Sequence, residues 1–98
     1  MDEISTDEVL RRIKNKQDLH LIDVRTDEEV ASGKIPGARH IPLHQLPERL
    51  DELDKSNEYI LICRSDARSG KATKFLKANG FKALNMTGGM LKWQGELE

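Results

Sequence analysis

The chain has 98 residues, 37% hydrophobic and 34% charged, with 16 basic and 17 acidic side chains that leave a net charge of −1. This is the size of one domain able to bury a modest core, and the balanced charge offers no global field for nucleic acid or an anionic membrane, so any anion site must be local. Its one cysteine excludes an intramolecular disulfide and a cysteine-based zinc site, and leaves no second thiol to resolve an oxidised Cys63.

Ser5-Thr6-Asp7-Glu8 is a capping box with Ile4 and Val9 placed as a hydrophobic staple. It predicts a short helix with Val9, Leu10 and Ile13 inward and Arg11, Arg12 and Lys14 outward. Leu19 to Val24 reads as a strand apolar enough to be covered on both faces. Thr26-Asp27-Glu28-Glu29 is a second capping box, opening a helix that stops at Gly33. Lys34 to Gly37 forms a turn, Ala38 to Pro42 a short strand, and Leu46, Leu50 and Leu53 mark one face of a third helix. Tyr59 to Cys63 is the best strand in the chain. A helix from near Ser69 to Asn79 buries Ala72, Phe75 and Leu76, with Gly80 as its C′ stop. Phe81 to Met86 is a last strand, and Gly88-Gly89 leads into a short helix carrying Leu91 and Trp93, the latter expected in the core. Leu97-Glu98 has the form of a cloning remnant and carries no weight. Met1-Asp2-Glu3 opens no apolar signal segment, and no run approaches the roughly 18 residues of a membrane span. A cytoplasmic monomer with a reduced thiol is expected, binding neither nucleic acid nor membrane.

Strands alternating with helices through short connections predict an α/β fold with a parallel sheet between helices. Ligands of such sheets bind beyond the carboxyl ends of the strands. The ends that matter are Asp23-Val24-Arg25, Cys63 and Met86-Thr87-Gly88-Gly89, provided their strands are neighbours. A thiol between a strand end and a helix start meets backbone N–H groups and the positive end of a helix dipole. With Arg64 and Arg68 close behind, that place favours a thiolate. The bland alternative is a small buried hydrophobe.

The pieces together resemble the rhodanese family of single-domain sulfurtransferases, over almost the whole chain. Leu21-Ile22-Asp23-Val24-Arg25 resembles its strand ending in Asp-x-Arg, and Glu29 its acidic position. Gly33-Lys34-Ile35-Pro36-Gly37-Ala38 resembles its Gly-His-Ile-Pro-Gly-Ala signature. Cys63 to Arg68 resembles its active-site loop, and Gly80-Phe81, Gly88-Gly89 and Trp93 its closing segment. Lys34 replaces the signature histidine, Val30 an aromatic, and Asp66 a loop glycine. Asp tolerates left-handed backbone, which would let the loop close; turned inward its charge opposes a thiolate, turned outward it pairs with Arg64 or Arg68.

The resemblance implies a three-layer α/β/α sandwich around a central, mainly parallel five-stranded sheet, one domain over residues 1–98. It implies a thiosulfate sulfurtransferase-like enzyme without cofactor or metal. Cys63 would take a sulfane sulfur from a small anionic donor or a protein persulfide and pass it to a thiol, a thioredoxin-like protein or cyanide. Arg64, Ser65, Asp66, Ala67, Arg68 and Ser69 would bind substrate or persulfide, Ser65 and Ser69 by hydrogen bonds, though Ser69 also suits a helix N-cap. Asp23, Arg25 and Glu29 would support the loop, with an Arg25–Glu29 ion pair bracing its floor. His20, His40 and His44 lack metal spacing. A cysteine phosphatase would need Cys-x5-Arg, where this chain has Cys-x4-Arg. A carrier between proteins, or a regulatory module without chemistry, remains the alternative function.

Overall fold

Tyr59-Ile60-Leu61-Ile62 lies at the centre of the molecule because alternate side chains of a strand face opposite ways and both sides here are apolar. In the computed structural model, which describes residues 2–98, five strands form one sheet. They are β1 (Glu3–Ser5), β2 (His20–Asp23), β3 (Arg39–His40), β4 (Glu58–Ile62) and β5 (Lys82–Thr87), in the order β1-β5-β4-β2-β3 with every pairing parallel. The helices are α1 (Thr6–Lys14), α2 (Asp27–Ala31) and α3 (Ala67–Ala78), joined by 3₁₀ segments at Leu43–Glu52 and Gly89–Lys92. Tyr59, Leu61 and Cys63 face a core completed by Ala72 and Leu76 of α3 and by Leu46. Ile60 and Ile62 face the opposite core, with Val9 of α1, Ile35 and Met86. The α/β reading holds, and the sheet is parallel throughout.

Both helices start where their capping sequences predict, but only the second box is reciprocal: Ser5 Oγ accepts the Glu8 N–H while the Glu8 carboxylate turns to Arg11 and Arg12, and Thr26 and Glu29 cap each other. Gly80, at φ 86°, closes α3, its N–H donating to the Lys77 carbonyl while Phe81 N–H reaches Leu76.

Several elements differ from expectation. The edge strand β1 leaves no periodic signal in three residues; it forms because Ile4 is buried beside Met86 in a parallel pairing. The leucine-marked third helix is a 3₁₀ segment, kinked at Arg49. Pro47 has no N–H to return to the Leu43 carbonyl, so an α-helical turn cannot close there. α3 starts at Ala67, before the expected Ser69, and its N-cap is Asp66. Trp93, half-buried, does pack against the core around Val9 and Met86, whereas Leu91 is 61% exposed. Leu97-Glu98 is tied into the fold: Glu98 and Lys34 exchange backbone hydrogen bonds of 2.8 and 3.2 Å, and Leu97 covers Gly33.

Candidate active site

The sheet order brings the expected strand ends together. β4 lies between β2 and β5, with Ile62 opposite Asp23 and Leu61 opposite Asn85. Cys63 therefore emerges between Arg25, which follows β2, and the Gly88-Gly89 turn, which follows β5. The thiol is buried, with Cys63 only 1% exposed. Above it the chain from Arg64 to Ala67 is exposed, Arg68 half-buried and Ser69 buried. Among the described residues, the backbone N–H groups of Arg64 through Ser69 meet no backbone carbonyl acceptor. They are a set of donors gathered at a helix start, a cradle suited to an anion.

The closing segment holds this loop through its backbone. Met90 N–H donates to the Cys63 carbonyl at 2.9 Å and Leu91 N–H to the Arg64 carbonyl at 3.0 Å. Approach is this close because Gly89 lacks a Cβ: one added there would sit 2.5 Å from the carbonyl oxygens of Arg64 and Ser65, and its φ is +57°. The glycine pair thus makes both the tight turn and the close approach.

The supporting charges pair differently from the expected Arg25–Glu29 bridge. Arg25 forks onto the fully buried Asp23, with Nη2 to Oδ2 at 2.8 Å and Nε to Oδ1 at 3.0 Å. Its remaining donors go to the backbone carbonyls of Gly33 and Glu29. The Glu29 carboxylate instead takes a bidentate pair from Arg68, at 2.5 and 2.8 Å. The Arg68 guanidinium, helped by the Thr26 N–H and hydroxyl, lowers the Glu29 carboxyl to about 2. In return Arg68 is raised above its ordinary value, chiefly by Glu29. The two charges sit 39 residues apart in sequence, and the pairing of β2 with β4, whose ends lead into α2 and α3, makes them partners.

Asp66 takes neither of its expected orientations. Its Oδ1 accepts the Gly88 N–H at 3.0 Å and Asn85 Nδ2 at 3.2 Å, so it pairs with neither Arg64 nor Arg68 and closes the loop against β5. Its φ is −141°, so no left-handed backbone is required of it. Ser69 is not the cap: its hydroxyl lies 3.1 Å from Cys63 Sγ and 2.5 Å from Asn85 Oδ1. Asn85 was missed by the sequence reading; its signal was one amide among Ala83, Leu84 and Met86 near the end of the strand. Among the described residues the Arg64 and Ser65 side chains have no hydrogen-bond partner. Arg64 lines a cleft of about 270 Å³ with Arg25, Glu29, Ser32, Met90 and Leu91. A larger hollow of about 480 Å³, lined by Leu10, Ile13, Pro36 and Trp93, shares no residue with the loop. His40 holds the Arg25 carbonyl at 2.7 Å.

A parallel α/β sheet with a lone cysteine under an N–H-lined loop defines a class that the comparisons then make specific. The model of the rhodanese-like domain matches residues 5–96. "Putative sulfurtransferase YtwF" of Bacillus subtilis (strain 168) is 50% identical over 94 residues, 96% of this chain and 91% of that protein. "Sulfurtransferase" of Allochromatium vinosum is 36% identical over 95% of this chain and 88% of its own. A crystal structure of a rhodanese-like domain protein from Staphylococcus aureus superposes with a TM-score of 0.95 at 40% identity, covering 100% of this chain and 97% of that one. The chain belongs to the rhodanese-like family. No helix among the described residues is long and apolar enough to cross a membrane.

Proposed function

We propose that this protein is a sulfurtransferase that carries a sulfane sulfur on Cys63. The observation that carries the reading is the position of Cys63 Sγ beneath a loop whose N–H groups, Arg64 through Ser69, have no backbone acceptor among the described residues. In the first half-reaction the Cys63 thiolate attacks the outer sulfur of thiosulfate. A new S–S bond forms, the bond to the sulfonate sulfur breaks, and sulfite leaves with its electron pair. The product is Cys63–S–S⁻, whose outer sulfur sits among those N–H groups. An acceptor thiolate or cyanide then attacks that sulfur and restores the Cys63 thiolate. Arg64, free of side-chain partners at the cleft mouth, suits attraction of an anionic donor. Arg68 adds its charge through the cradle wall while Glu29 holds it. Asp23 and Arg25 brace the β2 end and take no part in bond-making.

The test is intact mass after incubating the reduced protein with thiosulfate. A gain of about 32 Da that cyanide removes, absent in Cys63→Ser, is the expected result. If thiosulfate leaves the mass unchanged while a small persulfide loads it, the donor is a persulfide and the protein a carrier. No loading from either donor would overturn the reading in favour of a module without sulfur chemistry.

A further inference from the structure

Beneath the loop, the side chains form a hydrogen-bond chain whose direction is set from one end. A carboxylate oxygen only accepts, so Asp66 Oδ1 must receive Asn85 Nδ2 at 3.2 Å as well as Gly88 N–H at 3.0 Å. That turns the Asn85 carbonyl oxygen, also an acceptor only, toward Ser69 Oγ at 2.5 Å. Ser69 owns one hydroxyl proton. Its other oxygen acceptor, the Asp66 carbonyl, is farther away at 3.4 Å, so the proton lies toward Asn85. Ser69 then meets Cys63 Sγ, 3.1 Å away, with a lone pair. Ser69 is 0% and Asn85 7% exposed, so the arrangement is shielded from solvent.

We propose that Asn85 is a positioning residue: aligned by Asp66, it turns the Ser69 hydroxyl away from the sulfur, so resting Cys63 is a thiol donating to Ser69. When the thiol proton leaves to solvent, Sγ becomes an acceptor. The Ser69 O–H then swings from Asn85 Oδ1 to the sulfur, and Asn85 Oδ1 loses its donor. Breaking that bond opposes ionisation; the new charge-assisted bond favours it. The same turn would let Ser69 donate to a persulfide, so donor arrival and proton release are linked through one hydroxyl. The charged groups around Cys63 are Arg68 of α3 with its Glu29 partner on α2, the Asp23–Arg25 pair at the end of β2, and Arg64 and Asp66 in the loop. Of these, only Asp66 reaches the sulfur through a chain of hydrogen bonds that includes Asn85.

This inference rests on Cys63 being the reactive group, and it is tested without any sulfur donor. Alkylation of Cys63 by the neutral reagent iodoacetamide is followed across pH in the wild type, Asp66→Gly, Asp66→Asn, Ser69→Ala and Asp66→Gly/Ser69→Ala. Asp66→Gly releases the Asn85 amide to turn, and near pH 7 its alkylation should be about three- to tenfold faster. Above about pH 10, where thiols are ionised, the rates should converge. Asp66→Asn keeps a carbonyl oxygen for Gly88 N–H and Asn85 Nδ2, so it should behave as wild type although the charge is gone. In the Ser69→Ala background, Asp66→Gly should change nothing further. An Asp66→Gly gain that survives in Ser69→Ala would mean that Asp66 acts by holding the loop closed or by its charge, and an Asp66→Asn rate as fast as Asp66→Gly would mean that its charge is what matters; either would overturn the proposal. So would an unchanged rate in Asp66→Gly. Failure here leaves persulfide loading untouched, and failure of loading leaves these rates standing.

Discussion

Glu29 is the residue on which charge and sequence reading diverge most. It is read as Arg25's partner, yet its carboxylate caps α2 and grips Arg68. Its folded value of about 2 lies below the 4.5 of an unconstrained glutamate. The pair therefore contributes its full stabilisation above pH 4.5, and that contribution is lost as pH falls from 4.5 to about 2. With side chains 27% and 32% exposed, solvent screening limits it to about 1 kcal/mol. Glu29→Gln should be destabilised by that amount near neutral pH in urea titrations, with the gap to wild type closing toward pH 2. A gap that stays constant across the acid range would show that the ion pair contributes nothing.

Among the elements, the closing turn and α3 put glycine to opposite uses. A Cβ at Gly89 would strike the Arg64 and Ser65 carbonyl oxygens, at a backbone φ of +57° that side chains disfavour. Gly89→Ala should therefore lift the loop from the 3₁₀ segment, slowing sulfur loading by about tenfold or more and costing about 1–3 kcal/mol. Gly70 sits inside α3 with open space where a Cβ would go. Gly70→Ala should stabilise the protein by about 0.5–1 kcal/mol through helix propensity. Thermal melts of the two variants should move in opposite directions; a melt that rises for Gly89→Ala would refute the close approach. Elements with local signals were legible: the two N-capping sequences, the continuous apolar run Tyr59 to Cys63 and the Gly80 stop. The third helix was not, because the Leu46, Leu50 and Leu53 spacing fits an α-helix while Pro47 denies it a hydrogen bond.

Across the whole molecule, the Asp23–Arg25 pair ties the sheet to the α2 turn. Arg25, 6% exposed, reaches the Gly33 carbonyl at 2.9 Å while holding Asp23, which is fully buried. Asp23→Ala strands the guanidinium without its counter-charge and should cost about 3–5 kcal/mol. Asp23→Leu/Arg25→Met removes both charges and should recover part of that loss. Urea unfolding of both variants measures it, and a double variant less stable than the single one would show that the pair holds more than its own charges.

The amino-acid sequence by itself determined the family resemblance, the α/β alternation and Cys63 at a strand end, because each is read from short local motifs and their order along the chain. It also marked Asp66 as unusual without telling where the carboxylate goes. Only the tertiary structure decided that Glu29 meets Arg68, that Asp66 meets Gly88 and Asn85, and that Ser69 stands between Asn85 and the thiol. The physical reason is that, apart from Ser69 and Cys63, which are 6 residues apart around one loop, these partners come from segments 16 to 39 residues apart. Their meeting depends on strand order and register, which place β5 and β2 on either side of β4. No local spacing encodes that arrangement.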